Sequence, residues 1–92
     1  MSLTPKQRQA LKAQAHKLKP IVFIGHQGLT AAVKKEADQA LAHHELIKIR
    51  IQAEDRDERR AFFAELCESL QASPVQLIGN VGVVYRKSDH AE

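Results

Sequence analysis

Several residue types are scarce in this chain of 92 residues, and each scarcity excludes a class of protein. It has one cysteine, Cys67, which excludes an internal disulfide and favours a reducing compartment. No apolar run approaches the roughly 20 residues of a membrane-spanning helix, and the first residues lack the apolar core of a signal peptide. Tryptophan is absent and only four residues are Phe or Tyr, so the core must consist mainly of Ile, Val, Leu and Ala. We therefore expect a single soluble, cytoplasmic domain over residues 1–92.

Acidic side chains are missing from the first third of the chain. Residues 1–35 hold seven Lys and Arg side chains and no Asp or Glu, whereas all eleven acids fall in residues 36–92. The net charge of +3 therefore conceals a basic first third and an acidic remainder. A chain polarised in this way attracts a polyanion to one side. A lysine-rich helix that is simply solvated is the alternative for this segment.

Hydrophobic periodicity predicts seven elements in the order α-β-α-β-α-β-β. The two β-α-β units predict parallel strand pairs, and Gly79-Asn80 between the last two strands predicts an antiparallel hairpin. Together they predict a mixed four-stranded sheet with helices packed on it. Helices are expected from Thr4 to about Leu18, from Thr30 to His43 or His44, and from Asp55 onward; strands are expected at 21–24, 46–51, 75–78 and 81–85.

Two of the four glycines lie three residues apart in the loop Gly25-His26-Gln27-Gly28, between the first strand and the second helix. Glycine lets the backbone approach a ligand closely, and amide N–H groups at a helix N-terminus favour an anion such as phosphate. His26 and Gln27 can also hydrogen-bond a phosphate or a 2′-hydroxyl. The loop lacks the third glycine of a dinucleotide fingerprint and the Lys-Ser/Thr of a Walker A loop. A plain tight turn is the alternative.

The remaining polar residues give no catalytic or metal-binding pattern. His43 and His44 are adjacent and therefore point in different directions on a helix, and no cysteine or carboxylate stands at zinc-like spacing. Asp55, Asp57 and Glu58 are explained by a helix start. Because no nucleophile is paired with a base, we expect no enzyme, and we expect neither a metal nor another cofactor.

For several side chains the sequence leaves two interpretations open. Lys48 and Arg50 lie on the polar face of the second strand and either extend the basic surface or pair with nearby acids. Arg86 and Lys87 either contact phosphate or form a fraying basic terminus. Cys67 falls on the apolar face of the third helix, which favours a buried thiol over a reactive one.

The assembled pattern resembles a known family. The stretch from Ile21 to Thr30, IVFIGHQGLT, follows a basic first helix and precedes Ala32-Val33-Lys34-Lys35-Glu36 and Glu45-Leu46-Ile47-Lys48-Ile49. Together with the closing hairpin from Gly79 to Arg86, it strongly resembles the CRM domain (chloroplast RNA splicing and ribosome maturation). The resemblance covers roughly residues 3–87, and the stand-alone bacterial YhbY-like form is close to this chain in length.

This resemblance implies a fold and a function. The fold would be a two-layer α/β arrangement of the α+β type with a mixed sheet, similar to the C-terminal domain of bacterial translation initiation factor three. The function would be RNA binding, in precursors of the large ribosomal subunit for the stand-alone bacterial members. The family's GxxG loop corresponds to Gly25, His26, Gln27 and Gly28, and is similar to the loop with which KH domains clamp an RNA backbone.

We accordingly expect a non-catalytic RNA-binding monomer that assists ribosome assembly. Amides around Gly28 and Leu29, at the positive end of the second helix, would hold backbone phosphates. Sequence selectivity should be poor, because the four aromatic residues are mostly in core-like positions and leave little to stack on bases. The expected RNA-binding residues are Gly25, His26, Gln27, Gly28, Leu29 and Thr30 in the loop, with Arg8, Lys12, Lys17, Lys19, Lys34 and Lys35 supplying long-range attraction.

A protein-interaction module is the alternative to RNA binding. In that case the chain would dock on a ribosomal protein or an assembly factor, with the acidic third helix as its contact face. An RNA-processing enzyme has no catalytic constellation in its favour.

Overall fold

Each helix begins directly after a residue whose side-chain oxygen accepts a hydrogen bond from the first turn. These caps are Thr4, Thr30 and Asp55, with N···O distances of 3.0, 3.1 and 2.8 Å. The computed structural model describes residues 3–87 and contains the seven predicted elements in the predicted order. They are α1 (Pro5–Ala15), β1 (Pro20–Ile24), α2 (Ala31–His44), β2 (Leu46–Ile51), α3 (Arg56–Leu70), β3 (Ser73–Ile78) and β4 (Val81–Tyr85).

The first helix ends at Ala15, so the prediction that it continues to Leu18 is wrong. The chain turns instead through His16 and Lys17, and the N–H of Leu18 donates to the carbonyl of Ala15 at 2.9 Å. Pro20 disfavours helical geometry only at Lys19, and the turn at His16 and Lys17 ends the helix before that limit. Leu18 is consequently 37% exposed instead of buried on the helix.

The sheet has the strand order β1-β2-β4-β3. Strands β1 and β2 are parallel, whereas β4 is antiparallel to both β2 and β3. The second predicted parallel pair is therefore absent among the described strands, because the hairpin folds β4 into the position between β2 and β3. The order also places Pro20 and Pro74 in the two edge strands, where a missing N–H is tolerated.

The main core lies between one face of the sheet and helices α2 and α3. Gly82 marks the closest approach of helix to sheet, since a Cβ at this position would lie 2.6 Å from the ring of Phe63. Phe63 is itself 8% exposed, so its ring has little room to withdraw. The buried members of this core are Val22, Ile24, Ala37, Leu41, Ile47, Ile49, Ile51, Phe63, Leu66, Cys67 and Val84.

Helix α1 packs on the opposite face of the sheet, across β2, β4 and β3. It forms a second, smaller core there, in which Ala15 meets Leu46, Val75 and Val83. The α+β class with a mixed four-stranded sheet is thus confirmed, with two helices on one face and one on the other.

Strand β1 is only half-buried, although a short continuous apolar run is typical of a buried strand. Val22 and Ile24 face the main core, whereas Ile21 and Phe23 are 43% and 55% exposed. The reason is that α1 packs over the other three strands and leaves this end of the opposite face uncovered.

Candidate nucleic-acid interface

The GxxG loop forms a tight turn at the carboxyl end of β1. Gly25, His26 and Gln27 are exposed at its tip, whereas Gly28 is buried. The N–H of Gly28 donates to the carbonyl of Gly25 at 2.9 Å, and the N–H of Thr30 donates to the carbonyl of Gly28 at 3.0 Å. The loop therefore enters α2 with a fixed backbone and offers solvent two polar side chains.

The two glycines of the loop have different roles. Gly28 has φ +74° and a Cβ there would lie 3.2 Å from the ring of Phe62, so both conformation and space favour glycine. Gly25 has no positive φ, and a Cβ there would meet nothing within 4 Å. Only Gly28 is thus required to shape the turn, whereas Gly25 keeps the tip narrow and accessible.

Of the amides around Gly28 and Leu29 that we expect to hold phosphates, the N–H of Gly28 is already engaged, because it closes the turn. The N–H groups of Leu29, Ala31 and Ala32 make no hydrogen bond within the described part of the chain. They lie at the start of α2, where the helix dipole adds partial positive charge. These three amides are the donors that the loop can offer to an anion.

Two predicted cations lie in the first half of α2, close to the loop. Lys34 pairs with Glu65 of α3 at 3.6 Å, so part of its charge is neutralised. Lys35 is exposed and has no ion pair within residues 3–87. Of the two, Lys35 is the more available to a polyanion.

The other predicted cations lie away from the loop, around α1 and on the far side of the sheet. The Nε of Arg8 donates to the carbonyl of Pro74 at 3.5 Å, which holds Arg8 against β3. Lys12, Lys17 and Lys19 lie along α1 and the turn after it. Because Lys19 precedes β1 and the loop follows it, the strand's length of about 16 Å separates the two basic groups.

Lys48 and Arg50 lie between these two basic groups, and the structure decides between their two interpretations. Lys48 and Arg50 project from β2 on the α1 side of the sheet, as their alternation with buried isoleucines predicts. Neither forms an ion pair with an acid in the described chain. They therefore extend the basic surface from α1 toward the loop, and the alternative that they pair with nearby acids is wrong.

Three arginines that the sequence reasoning did not consider surround a depression beside the β3–β4 hairpin. Arg56, Arg59 and Arg60 share one face of α3 and line a volume of about 270 Å³ with Leu77 and Gly79. The Nε of Arg59 is buried without a hydrogen-bond partner in the described chain. The spacing i, i+3, i+4 is the sequence signal that could have found them.

Arg86 is tied into the fold, and the prediction of a fraying terminus is wrong for this residue. Its guanidinium donates to the carboxylate of Asp38 at 2.7 Å, to the Asp38 carbonyl at 3.0 Å and to the Leu70 carbonyl at 3.1 Å. Its own N–H donates to the carbonyl of Glu45 at 2.8 Å. Arg86 thus joins the end of β4 to α2 and α3, while Lys87 is exposed.

The single thiol is buried in the main core. Cys67 is 6% exposed, and burial raises its pKa from 9.0 to about 11. A thiol that stays protonated at neutral pH is a weak nucleophile, as the burial interpretation of Cys67 predicts. The described residues also contain no group of three potential metal ligands, and no helix among them is long and apolar enough to cross a membrane.

The chain's family follows from its sequence. The sequence model of the CRS1/YhbY (CRM) domain matches residues 3–86. This chain therefore belongs to the CRS1/YhbY (CRM) domain family, as the resemblance of the GxxG stretch indicates.

Similar proteins of nearly the same length have names that refer to RNA. A Pseudomonas aeruginosa protein named a probable RNA-binding protein is 42% identical over 96% of this chain and 85% of its own length. A Haemophilus influenzae protein named an RNA-binding protein is 41% identical over 99% of this chain and 92% of its own. The solution structure of a Staphylococcus aureus protein proposed to bind RNA has a TM-score of 0.86 at 33% identity, covering 98% of this chain and 94% of that one.

Proposed function

We propose that this protein binds RNA without catalysing a reaction, that its target is ribosomal RNA in precursors of the large ribosomal subunit, and that it assists their assembly. Membership of the CRM family and the names of similar proteins support RNA as the ligand. The ribosomal target is what the family resemblance implies.

The observation that carries the proposal is the GxxG turn at the start of α2. Its tip is exposed, and the free N–H groups of Leu29, Ala31 and Ala32 follow it. Lys35 stands one turn further along the helix. Backbone donors at a helix N-terminus beside an unpaired cation suit the phosphates of a nucleic acid, whose contacts position the protein without reading sequence.

The exposed tip of the loop gives the sharpest test. The double variant His26→Asp/Gln27→Asp places two carboxylates where the phosphates would lie. Both side chains are exposed, and His26 contacts the side chain of Gln52 at 3.2 Å. We expect affinity for RNA, measured by fluorescence anisotropy, to fall about ten-fold or more through charge repulsion.

The matched control is Gln39→Asp/His43→Asp on the exposed side of α2, which makes the same two replacements away from the loop. This control should retain most of the affinity. Equal losses in both double variants would show a general charge effect and would reject the loop as the contact.

The salt dependence tests the basic flank. With about four phosphates neutralised, log K should fall with log salt at a slope of about −3, since each single-strand contact contributes about 0.7. Reversing Lys12 and Lys17 to Glu should flatten that slope, because both lie on the α1 part of the basic surface. An unchanged slope would remove α1 from the footprint.

Docking on a protein is the competing function, with α3 as its contact face. Sucrose gradients of cell extracts separate the two, with and without ribonuclease. The RNA proposal predicts that the protein leaves the large-subunit fractions after digestion. Crosslinking in cells and sequencing of the attached RNA should then return ribosomal RNA; enrichment of other RNAs would reject the ribosomal target.

A further inference from the structure

One row of side chains crosses all four strands on the α1 side of the sheet, and α1 leaves it open. In strand register, Phe23 lies beside Arg50, Arg50 beside Val81, and Val81 beside Ile78. Phe23 is 55% exposed and Ile78 is 64% exposed. We call this set, Phe23, Arg50, Val81 and Ile78, the open row.

The open row lies at the same end of the sheet as the GxxG loop. Phe23 stands two residues before Gly25, and Arg50 stands two residues before Gln52, whose amide contacts His26 at 3.2 Å. Helix α1 packs over the other end, where Ala15 meets Leu46. A ligand seated on the loop therefore has the open row directly beside it.

The phenyl ring of Phe23 is unusual in its surroundings. The guanidinium of Arg50 lies 6.0 Å from the ring centroid, within the range of a cation–π contact. Phe62 and Phe63, in contrast, pack with the main core, and Tyr85 packs with the second core. Phe23 is thus the most exposed of the Phe and Tyr side chains in the described chain.

The strands that carry the open row have charges of one sign. They contain no Asp or Glu, and they carry Lys48 and Arg50 on this face. A separate groove of about 380 Å³ lies nearer the end of α1, with Lys19 and Lys48 in its lining. An exposed ring beside Arg50, on strands without acids, complements a ligand that is both aromatic and anionic, which describes a nucleotide.

We propose that the Phe23–Arg50 end of the open row, next to the loop, is a stacking platform on which an unpaired RNA base lies against Phe23, with Arg50 beside the base and the adjoining phosphates. The inference rests on the proposed RNA-binding function and adds to it that the RNA presents a single-stranded nucleotide next to the loop. It also revises the expectation that the aromatic residues leave little to stack on bases. An apolar protein partner would not need the basic, acid-free surround, so we commit to RNA.

Substitutions at Phe23 test stacking directly. We expect Phe23→Ala and Phe23→Leu to weaken binding of an unstructured RNA of about twelve nucleotides by about five-fold to a hundred-fold, the range for loss of one base–aromatic stack. Phe23→Tyr should bind RNA about as well as the parent protein, because it keeps an aromatic ring. Since Phe23 is exposed, thermal melts of all three variants should stay close to that of the parent protein.

The control is Ile78→Ala at the other end of the same row, which removes an equally exposed apolar side chain. It should leave RNA affinity almost unchanged. If Phe23→Leu binds as well as the parent, the contact is apolar and the stacking proposal is rejected. If Ile78→Ala loses as much as Phe23→Ala, the row acts as a general apolar surface and the proposal is also rejected.

A fluorescence experiment reports on stacking without depending on affinity. The chain has no tryptophan, so Phe23→Trp introduces a unique indole at the platform. Its emission should be quenched when the single-stranded RNA saturates the protein, and it should change little with a duplex of the same length. No quenching at saturation, or equal quenching by the duplex, would overturn the proposal.

These outcomes separate the two proposals. If the parent protein binds neither single-stranded nor duplex RNA, RNA binding itself fails and the platform fails with it. If the parent binds RNA and the His26→Asp/Gln27→Asp variant does not, while every Phe23 variant binds normally, the loop function stands and the platform alone is rejected.

Discussion

The two faces of the sheet are built from the same strands and differ in almost every other respect. On the α2 and α3 side, the isoleucines of β2 are at most 1% exposed and meet the helices without polar residues between them. On the α1 side, the residues between those isoleucines are Lys48 and Arg50, and one end of the face is open. The closed face carries the main core, whereas we expect substitutions at the open end of the other face, outside the second core, to leave the fold intact.

The largest expected difference comes from truncating one apolar side chain on each face. Leu41 is fully buried in the main core, so Leu41→Ala should lower the free energy of unfolding by about 2–5 kcal/mol. Phe23→Ala on the open face should change it by less than about 0.5 kcal/mol, because it leaves no cavity. Urea unfolding followed by circular dichroism measures both, and similar losses would contradict the contrast between the faces.

Alkaline pH tests the closed face through its thiol. The folded protein keeps Cys67 protonated up to a pKa of about 11, whereas in the unfolded chain it ionises near 9.0. Stability is therefore fully present below pH 9 and falls as pH rises toward 11, by about 2–3 kcal/mol from this group.

Urea unfolding across this pH range provides the measurement, and Cys67→Ala is the control. The control lacks the thiol and should lose less stability over the same interval. If the free energy of unfolding falls equally steeply with pH in the two proteins, the Cys67 thiol has the same pKa in the folded and the unfolded chain.

Gly82 and Gly25 contrast a closely packed position with an open one. Gly82→Ala brings a Cβ to 2.6 Å from Phe63, so we expect a loss of about 1–3 kcal/mol through overpacking. Gly25→Ala meets nothing within 4 Å and should leave stability nearly unchanged. Thermal unfolding of both variants checks this, and a tolerated Gly82→Ala would mean that the Phe63 ring can move.

The smallest expected effect concerns the link between β4 and the two helices of the closed face. Arg86→Met removes hydrogen bonds to Asp38 and Leu70 from a guanidinium that is mostly shielded, and should cost about 1–2 kcal/mol. Its exposed neighbour is the control, because Lys87→Ala should cost almost nothing. Chemical denaturation distinguishes them, and equal stability of both variants would reduce Arg86 to a surface ion pair.

Local patterns were sufficient for most of the fold. The helix start at Thr4, the alternation in β2 and the Gly79-Asn80 turn each depend on neighbouring residues, and each is present as predicted. The position of β4 between β2 and β3 depends on long-range pairing, which no local pattern encodes. The end of α1 at Ala15 was not predictable from Pro20, which restricts only Lys19.

The GxxG loop of the candidate interface was predictable from the sequence, whereas the exposure and contacts of the residues around it were less so. Gly28 was expected to tolerate unusual backbone geometry, and it has a positive φ. The exposure of Phe23 was not predictable, because an apolar run does not reveal which strands a distant helix will cover. The same limit applies to Arg86, whose partners lie 48 and 16 residues away in sequence.

The central position of β4 has a consequence for how the protein is made. Strand β4 follows the other three strands in the described chain but occupies an interior place in the sheet, so β3 has no neighbour and β2 keeps a bare edge until Tyr85 has emerged from the ribosome. Folding of the sheet must then wait for β4, and a nascent chain that stops before it exposes an edge that favours aggregation. The two faces described above can thus form only after all four strands have been made.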